Sequence, residues 1–358
     1  MGNLGHAVLV LVLAAAAGST IVNGAQAREP NDRVWFADVD PPAAMLLRAA
    51  DVPGGFKTAV VSWNVRTPNG SSVEVRLRAH VDAHWTRWYA MGVWSADGSR
   101  GTRHSVAGQN DADGQVETDT LVLHAVADRF EVQVDQHPGA SGTAPQLRGL
   151  AVATSLAPDD GGSVDPAPRG AIAELPVPER SQRIATSPDA KGGGGDSWCS
   201  PASVSMVMAY WAAATGHPQW DVGVAAVADG VYDPVYDGCG NWPFNVAFAS
   251  EHGLAGFVRQ LPSLADVEML VARGVPVIAS IAVKPGELDG SPYPKTEGHL
   301  LVIRGFTAAG DVIVNDPYGE PGAVRRVYAR AQFSHVWQAG SNGTVYIIAP
   351  PDMIRTLR

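Results

Sequence analysis

Asp196-Ser197-Trp198-Cys199-Ser200-Pro201-Ala202-Ser203 joins a glycine run, Gly192 to Gly195, to an apolar segment, and its reading decides how the second half of the chain folds. Val204, Val207, Met208 and Trp211 recur at i, i+3, i+4 and i+7, the spacing of one helix face. Ser200 is expected as the N-cap and Pro201 as the first residue of a helix running to Thr215, since a proline there lacks only an N–H that has no partner anyway. Cys199 then sits just outside a helix N-terminus, where unpaired N–H groups and the dipole favour an anion and lower a thiol pKa. That makes Cys199 a candidate nucleophile. The competing reading is a buried structural cysteine, or half of a disulfide with Cys239, the only other cysteine in the chain.

The 358 residues, 46% of them apolar, suggest about two domains with real cores, and a formal charge of −10 argues against nucleic acid as a partner. Residues 1–27 read as an export signal: an apolar run from Ala7 to Ala17, a polar break at Gly18-Ser19-Thr20, and Ala25-Gln26-Ala27 as a cleavage site. The n-region offers only His6 in place of Lys or Arg. An uncleaved anchor is the alternative, because Leu4 to Val22 approaches spanning length. No other stretch is long enough to cross a membrane. The expected location is therefore secreted or cell-envelope, with the working part outside the cytoplasm.

Residues 28–156 read as an accessory domain of strands: Lys57 to Val65, Val73 to His80, Trp85 to Trp94, Leu121 to Ala125, Phe130 to Val134 and Leu147 to Thr154. Val73, Val75, Leu77 and Ala79 alternate with Glu74, Arg76, Arg78 and His80, the period of a strand with one wet face. Six or more such strands without a helix suggest an antiparallel β-sandwich. Trp85, Trp88, Tyr89 and Trp94 concentrate there, either as a platform for cell-wall glycan or peptide or as core and domain interface. Asp111-Ala112-Asp113-Gly114 starts like a calcium loop but lacks the remaining ligands, so a turn is expected, as it is for the sequons Asn69-Gly70-Ser71 and Asn342-Gly343-Thr344.

Residues 157–190 are rich in Asp, Gly, Ser and Pro and read as a linker, one able to lie along the next domain. Residues 191–358 then mix helix and strand. Helices are expected at Asp221 to Ala228, Trp242 to His252 with Asn241 as N-cap, and Leu264 to Arg273 with Ser263 as N-cap and Gly274 as stop. Strands are expected at Phe257 to Leu261, Pro276 to Val283, Leu300 to Phe306, Val312 to Asp316, Arg325 to Ala329 and Thr344 to Ala349. Helices first and a mostly antiparallel sheet second is an α+β arrangement.

A thiol nucleophile needs a base and a group to orient that base. His299 is the best-placed histidine, at the mouth of the strand Leu300-Leu301-Val302-Ile303, which turns near residues 308–310 and returns as Val312-Ile313-Val314-Asn315-Asp316. In such a hairpin His299 and Asp316 meet at one sheet edge, on the faces carrying Leu301 and Val314, while Asn315 faces the other way. Asp316 can then accept from one imidazole nitrogen and hold the other toward Cys199. His217, His252 and His335 lack a strand that would deliver them to a carboxylate. No spacing of His, Cys, Asp and Glu repeats as a metal-ligand pattern, and no cofactor is expected.

These motifs, Trp198-Cys199-Ser200-Pro201-Ala202-Ser203 with Gly298-His299-Leu300 and Asn315-Asp316-Pro317, resemble the papain-like cysteine peptidases of family thirty-nine, relatives of the bacteriocin leader peptidases. The resemblance is closest to the exported actinobacterial-type branch, in which a β-rich domain precedes the peptidase. It implies a papain-like domain with Cys199, His299 and Asp316 as triad. Gly240-Asn241-Trp242-Pro243-Phe244-Asn245 also looks like a family motif; Asn241, Trp242 and Asn245, with Asp196, Ser197 and Trp198, are the candidate cleft residues. One departure stands out: leader peptidases carry an oxyanion-hole glutamine about six residues before the cysteine, and here that position is Gly193. The expected activity is hydrolysis of a peptide or isopeptide amide in a protein or peptide substrate. An acyltransferase on the same triad and a non-catalytic cell-wall or peptide-binding protein are the alternatives.

Overall fold

The computed structural model describes residues 33–38, 45–49, 52–98, 102–156, 165–184 and 190–358. The expected export signal lies outside the described residues. Among them, no helix is long and apolar enough to cross a membrane.

The first half is all strand: β1 (Arg33–Asp38), β2 (Met45–Ala49), β3 (Phe56–Arg66), β4 (Ser72–Val81), β5 (His84–Trp85), β6 (Tyr89–Trp94), β7 (Gly114–Glu117), β8 (Thr120–His137) and β9 (Gln146–Ser155). All pairings are antiparallel, and β8 organises them. Its beginning pairs with β3 and β7, its end with β4 and β2, so one 18-residue strand serves both layers of the sandwich. The sequence suggested two strands here because the exposed Asp128 and Arg129 interrupt the apolar alternation. The expected strand Trp85 to Trp94 is instead split. The Thr86 hydroxyl accepts from Ala79 N–H and donates to Arg87 C=O, taking over backbone partners that a continuous ladder would use.

The four concentrated aromatics divide into two pairs. Tyr89 and Trp94 are fully buried, while Trp85 and Trp88 both lie against the Arg78 guanidinium, 4.9 and 4.7 Å from their ring centres. The Asp111 carboxylate closes its turn by accepting from Asp113 and Gly114 N–H. Asn69-Gly70 and Asn342-Gly343 both adopt paired left-handed conformations, the geometry for which those residue types are suited.

The second half contains α1 (Cys199–Thr215), α2 (Val224–Val231), α3 (Trp242–Glu251), β10 (Ala255–Gln260), α4 (Leu264–Ala272), β11 (Val277–Val283), β12 (Thr296–Phe306), β13 (Val312–Asn315), β14 (Arg325–Tyr328), α5 (Arg330–Ser341), β15 (Thr344–Ala349) and α6 (Pro351–Leu357). Its sheet runs β10-β15-β11-β12-β13-β14 and is antiparallel at every pair. Three helix ends differ from expectation. α1 begins two residues early, at Cys199. α2 begins late because Asp221 and the Val222 carbonyl are taken by Arg180 and Ser205. Ser263 does not cap α4 by accepting an N–H; its hydroxyl donates to Asp266, and Leu264 N–H goes to Asp165.

The stretch expected as a linker is fastened to this sheet. Ile172 bridges Phe306, Leu175 N–H donates to Arg304 C=O, and Gln182 N–H donates to Pro317 C=O. Gly305 permits the approach, since a Cβ there would stand 2.9 Å from Glu174 Cα.

The two halves share an extensive interface. β10 is an edge strand, and β3 covers it with side chains that mimic a neighbouring strand: Asn64 both donates to Gly256 C=O and accepts from Gly256 N–H, and Ser62 accepts from Val258 N–H. Glu251 at the end of α3 accepts from Thr67 N–H, the Thr67 hydroxyl and the Trp94 indole. Phe244 of α3 packs edge-on to Trp63 and Trp94, and Gly92 leaves it room, a Cβ there meeting the Phe244 ring at 3.0 Å. Phe244→Ala is expected to lower unfolding free energy by about 3–5 kcal/mol, read by urea denaturation of the full chain. A change within about 0.5 kcal/mol would mean that the ring carries no packing at this junction.

Candidate active site

Cys199 is the first residue of α1, with Trp198 as the residue before the helix and Pro201 third in it. The expected Ser200 cap is therefore corrected. A proline among the first three helical positions still removes only an N–H without an intrahelical acceptor, so the helix starts earlier at no loss of hydrogen bonding. The thiol thus lies in the first turn, within reach of the dipole. The negative charge on the Cys199 sulfur is favoured by His299 and by the Leu300 and Ser200 N–H groups. Ser203 ties α1 to β12 by donating to Leu300 C=O at 3.1 Å, which fixes the thiol against the strand that carries His299.

His299 and Asp316 are brought together as the hairpin predicts, but by a device that the sequence conceals. Phe306 pairs with Val312 and Gly305 with Ile313, whereas Ile303 pairs with Val314 and Val302 with Asn315. Arg304 is thus an extra residue, a β-bulge. Continued without it, the register would set Asn315 on the face of His299 and turn Asp316 away. The bulge is held from outside the hairpin: Arg304 donates to Leu175 C=O and to Asn315 Oδ1, and pairs with Glu174 at 3.2 Å. The strap over 172–182 therefore decides which residue faces the imidazole.

His299 Nε2 donates to Asp316 Oδ1 at 2.8 Å, leaving Nδ1 for Cys199. Asp316, fully buried, accepts from three further donors: the Tyr293 hydroxyl at 3.0 Å, the Tyr328 hydroxyl at 2.7 Å and Tyr318 N–H at 3.1 Å. Burial pushes this carboxyl up, but the His299 charge and these hydrogen bonds outweigh burial and hold it below its ordinary value. Burial pulls His299 down, yet Asp316 and the Cys199 sulfur raise it to about 10. Burial pushes Cys199 up, and the hydrogen bond and charge of His299 bring it below the usual thiol value. Such an arrangement favours a thiolate beside an imidazolium, and the thiolate is the reactive form.

Cys239 behaves oppositely. Both cysteines are free. Cys239 is buried with its thiol against Ala228 C=O at 3.5 Å, and burial pushes its pKa to about 12.

Cys199, His299, Asp196, Ser197 and Trp242 line one cleft of about 1060 Å³. Three other expected cleft residues do not line it. Trp198 is buried and donates its indole N–H to Lys191 C=O. Asn241 caps α3 by accepting from Phe244 N–H and also donates to Asp233, and Asn245 donates to the carbonyls of Cys239 and Asn241. Both asparagines are consumed in folding the 239–245 turn, which is why they are fully buried.

A side chain at position 193 would be strained: Gly193 has φ +81°, and a Cβ there would stand 2.7 Å from the Ser197 hydroxyl. Gln182, from the strap, lines the cleft instead. It is 1% exposed, its Nε2 donates to the carbonyls of Gly195 and Asp196, and its Oε1 has no partner. Tyr293, Tyr328 and Gln182 escaped the sequence reading because each comes from a separate loop or strand with no motif of its own. Among the described residues no group of three His, Cys, Asp or Glu side chains could hold a metal.

Comparison with known proteins gives two family matches. Residues 37–155 match the family described as Peptidase C39 N-terminal domain, and residues 174–345 match the Peptidase C39-like family, a match that begins inside the strap. No curated protein matches. Among solved structures, a C39-like peptidase from Bacillus anthracis aligns at 14% identity over 49% of this chain and 96% of its own, with a TM-score of 0.34. The chain thus carries, in order, a match to the Peptidase C39 N-terminal domain and a match to the Peptidase C39-like family.

Proposed function

We propose that the chain is an exported cysteine peptidase that hydrolyses a peptide or isopeptide amide through Cys199, His299 and Asp316. The observation that carries this is Cys199 at the head of α1, lining one open cleft with His299, whose other side is hydrogen-bonded to Asp316. The Cys199 thiolate attacks the carbonyl carbon, and the developing oxyanion takes the Cys199 N–H, which has no acceptor within the helix. The C–N bond then breaks, the imidazolium proton goes to the leaving amine, and a thioester remains. Water attacks the thioester while His299 takes its proton; the C–S bond breaks and the thiolate is restored.

Gln182 supplies the second oxyanion donor in this reading. Releasing one of its two carbonyl bonds turns an N–H toward the developing oxyanion, the part a glutamine at position 193 would have played. Export rests on the apolar run Ala7 to Ala17 and the Ala25-Gln26-Ala27 site.

The test uses iodoacetamide on the purified full chain at neutral pH, with digestion of a proteome-derived peptide mixture as the activity readout. Peptide mapping is expected to find Cys199 carbamidomethylated and Cys239 untouched, with hydrolysis lost in proportion. Full modification of Cys199 with hydrolysis intact would end the proposal.

A further inference from the structure

The cleft has a wall from the other domain. Thr58, Val122 and the β7–β8 hairpin tip, Glu117 to Thr120, line it together with Cys199 and His299. The tip is fixed in place: Asp119 Oδ2 accepts from Trp242 N–H at the start of α3, 2.6 Å away, and its Oδ1 accepts from the Thr120 hydroxyl. Thr118 turns the tip with φ +57°, and Asp119 N–H donates back to Glu117 C=O at 2.6 Å. That is a γ-turn of the rare positive-φ form, on a β-branched residue that seldom adopts it. The β-domain thus inserts a strained hairpin beside the nucleophile.

The chemistry of the lining is one-sided. Beside the Cys199–His299 pair, its titratable side chains are the carboxyl groups of Glu117, Asp119, Asp196, Asp237 and Glu297 against the single ammonium of Lys295. Four of the five are exposed, and none of the four is ion-paired among the described residues; Glu117 accepts only from the Gln115 amide, and Asp237 from the Tyr232 hydroxyl. Independently, two of the residues lining the cleft, Gln182 and Gln260, 1% and 7% exposed, carry buried amide oxygens with no partner among the described residues. A cleft of acceptors and negative charge is complementary to a donor-rich cation.

We propose that the β7–β8 hairpin completes the substrate cleft, and that the cleft takes a peptide segment bearing lysine or arginine side chains or a free amine. This rests on the peptidase reading for its catalytic meaning, though not for the binding itself. The hairpin's Glu117 supplies charge from one domain and Glu297, two residues before His299, from the other. The cation lies between them while Gln182 and Gln260 accept N–H groups from the ligand.

The experiment reads occupancy without requiring turnover. Iodoacetamide is uncharged, so its rate with Cys199 is not steered by the acidic lining. Pentalysine is expected to slow carbamidomethylation of Cys199 in the full chain, and pentaglutamate and pentaalanine are not. The E117Q/E297Q variant, altered at two exposed side chains, should keep its thermal midpoint and lose pentalysine protection by up to about five-fold per carboxylate removed. Equal protection by pentaglutamate, no protection by pentalysine, or undiminished protection in the variant would each overturn the inference. A chain protected by pentalysine that cleaves no peptide keeps this inference and loses the peptidase reading; cleavage without preference for basic segments does the reverse.

Discussion

Cys199→Ala is expected to lower kcat for peptide hydrolysis by about 10⁴-fold or more, with the fold intact. The magnitude follows from the chemistry: without the sulfur there is no acyl-enzyme, and only binding and oxyanion stabilisation act on direct attack by water. The fold is spared because the side chain is half-buried, small and at the first position of α1, where alanine is well tolerated. Steady-state kinetics on a cleaved peptide, paired with thermal unfolding, checks both halves. Residual activity within ten-fold of the original would assign the chemistry to another group, and a collapse of stability would leave Cys199 a structural residue.

Asp316→Ala should be the most damaging single change for fold and reactivity together. It leaves the Tyr293 and Tyr328 hydroxyls, Tyr318 N–H and the His299 ring N–H without their acceptor. Each unsatisfied buried donor costs about 1–3 kcal/mol, so a loss of roughly 3–5 kcal/mol in urea denaturation is expected after partial relaxation. The effect on reactivity has a definite sign. Burial, the largest influence on His299, lowers its pKa, and only Asp316 and the thiolate raise it to about 10. With the carboxylate gone, His299 falls back and is neutral at pH 7. Cys199 then loses the charge that offsets its own burial, and its pKa climbs above the usual thiol value. The rate of carbamidomethylation against pH should therefore rise to its plateau at a low midpoint in the natural chain and at a clearly higher one in the variant. Superimposable profiles would show that Asp316 does not sustain the imidazolium. For hydrolysis in the natural chain the same values give a bell: activity falls in acid as Cys199 is protonated, and in alkali as His299 loses its proton near 10.

Much of the chemistry was legible in the sequence. Cys199 at a helix start, His299 at a strand mouth and the returning strand to Asp316 are short-range patterns, and short-range patterns survive without tertiary knowledge. Strands such as Val73 to His80, with their strict alternation, were equally plain. α5 went unread although Phe333, Val336 and Trp337 carry its buried face at i, i+3 and i+4, because its remaining positions are polar. The break of the β5–β6 run at Thr86 depends on a hydroxyl choosing backbone partners, which no pattern announces.

The sequence by itself determined a cysteine at a helix start, a histidine at a strand mouth and the hairpin that unites His299 with a carboxylate, because each is set by periodicity within one or two adjoining elements. Only the tertiary structure decided that Asp316, rather than Asn315, faces His299. That choice turns on a one-residue bulge at Arg304, and the bulge is anchored by Glu174 and Leu175, some 130 residues earlier in the chain. It also decided that Gly193 and Gln182 line the same cleft, and that the far domain supplies a wall of it. Those outcomes depend on contacts between segments far apart in sequence, and only the packing of the whole chain fixes them.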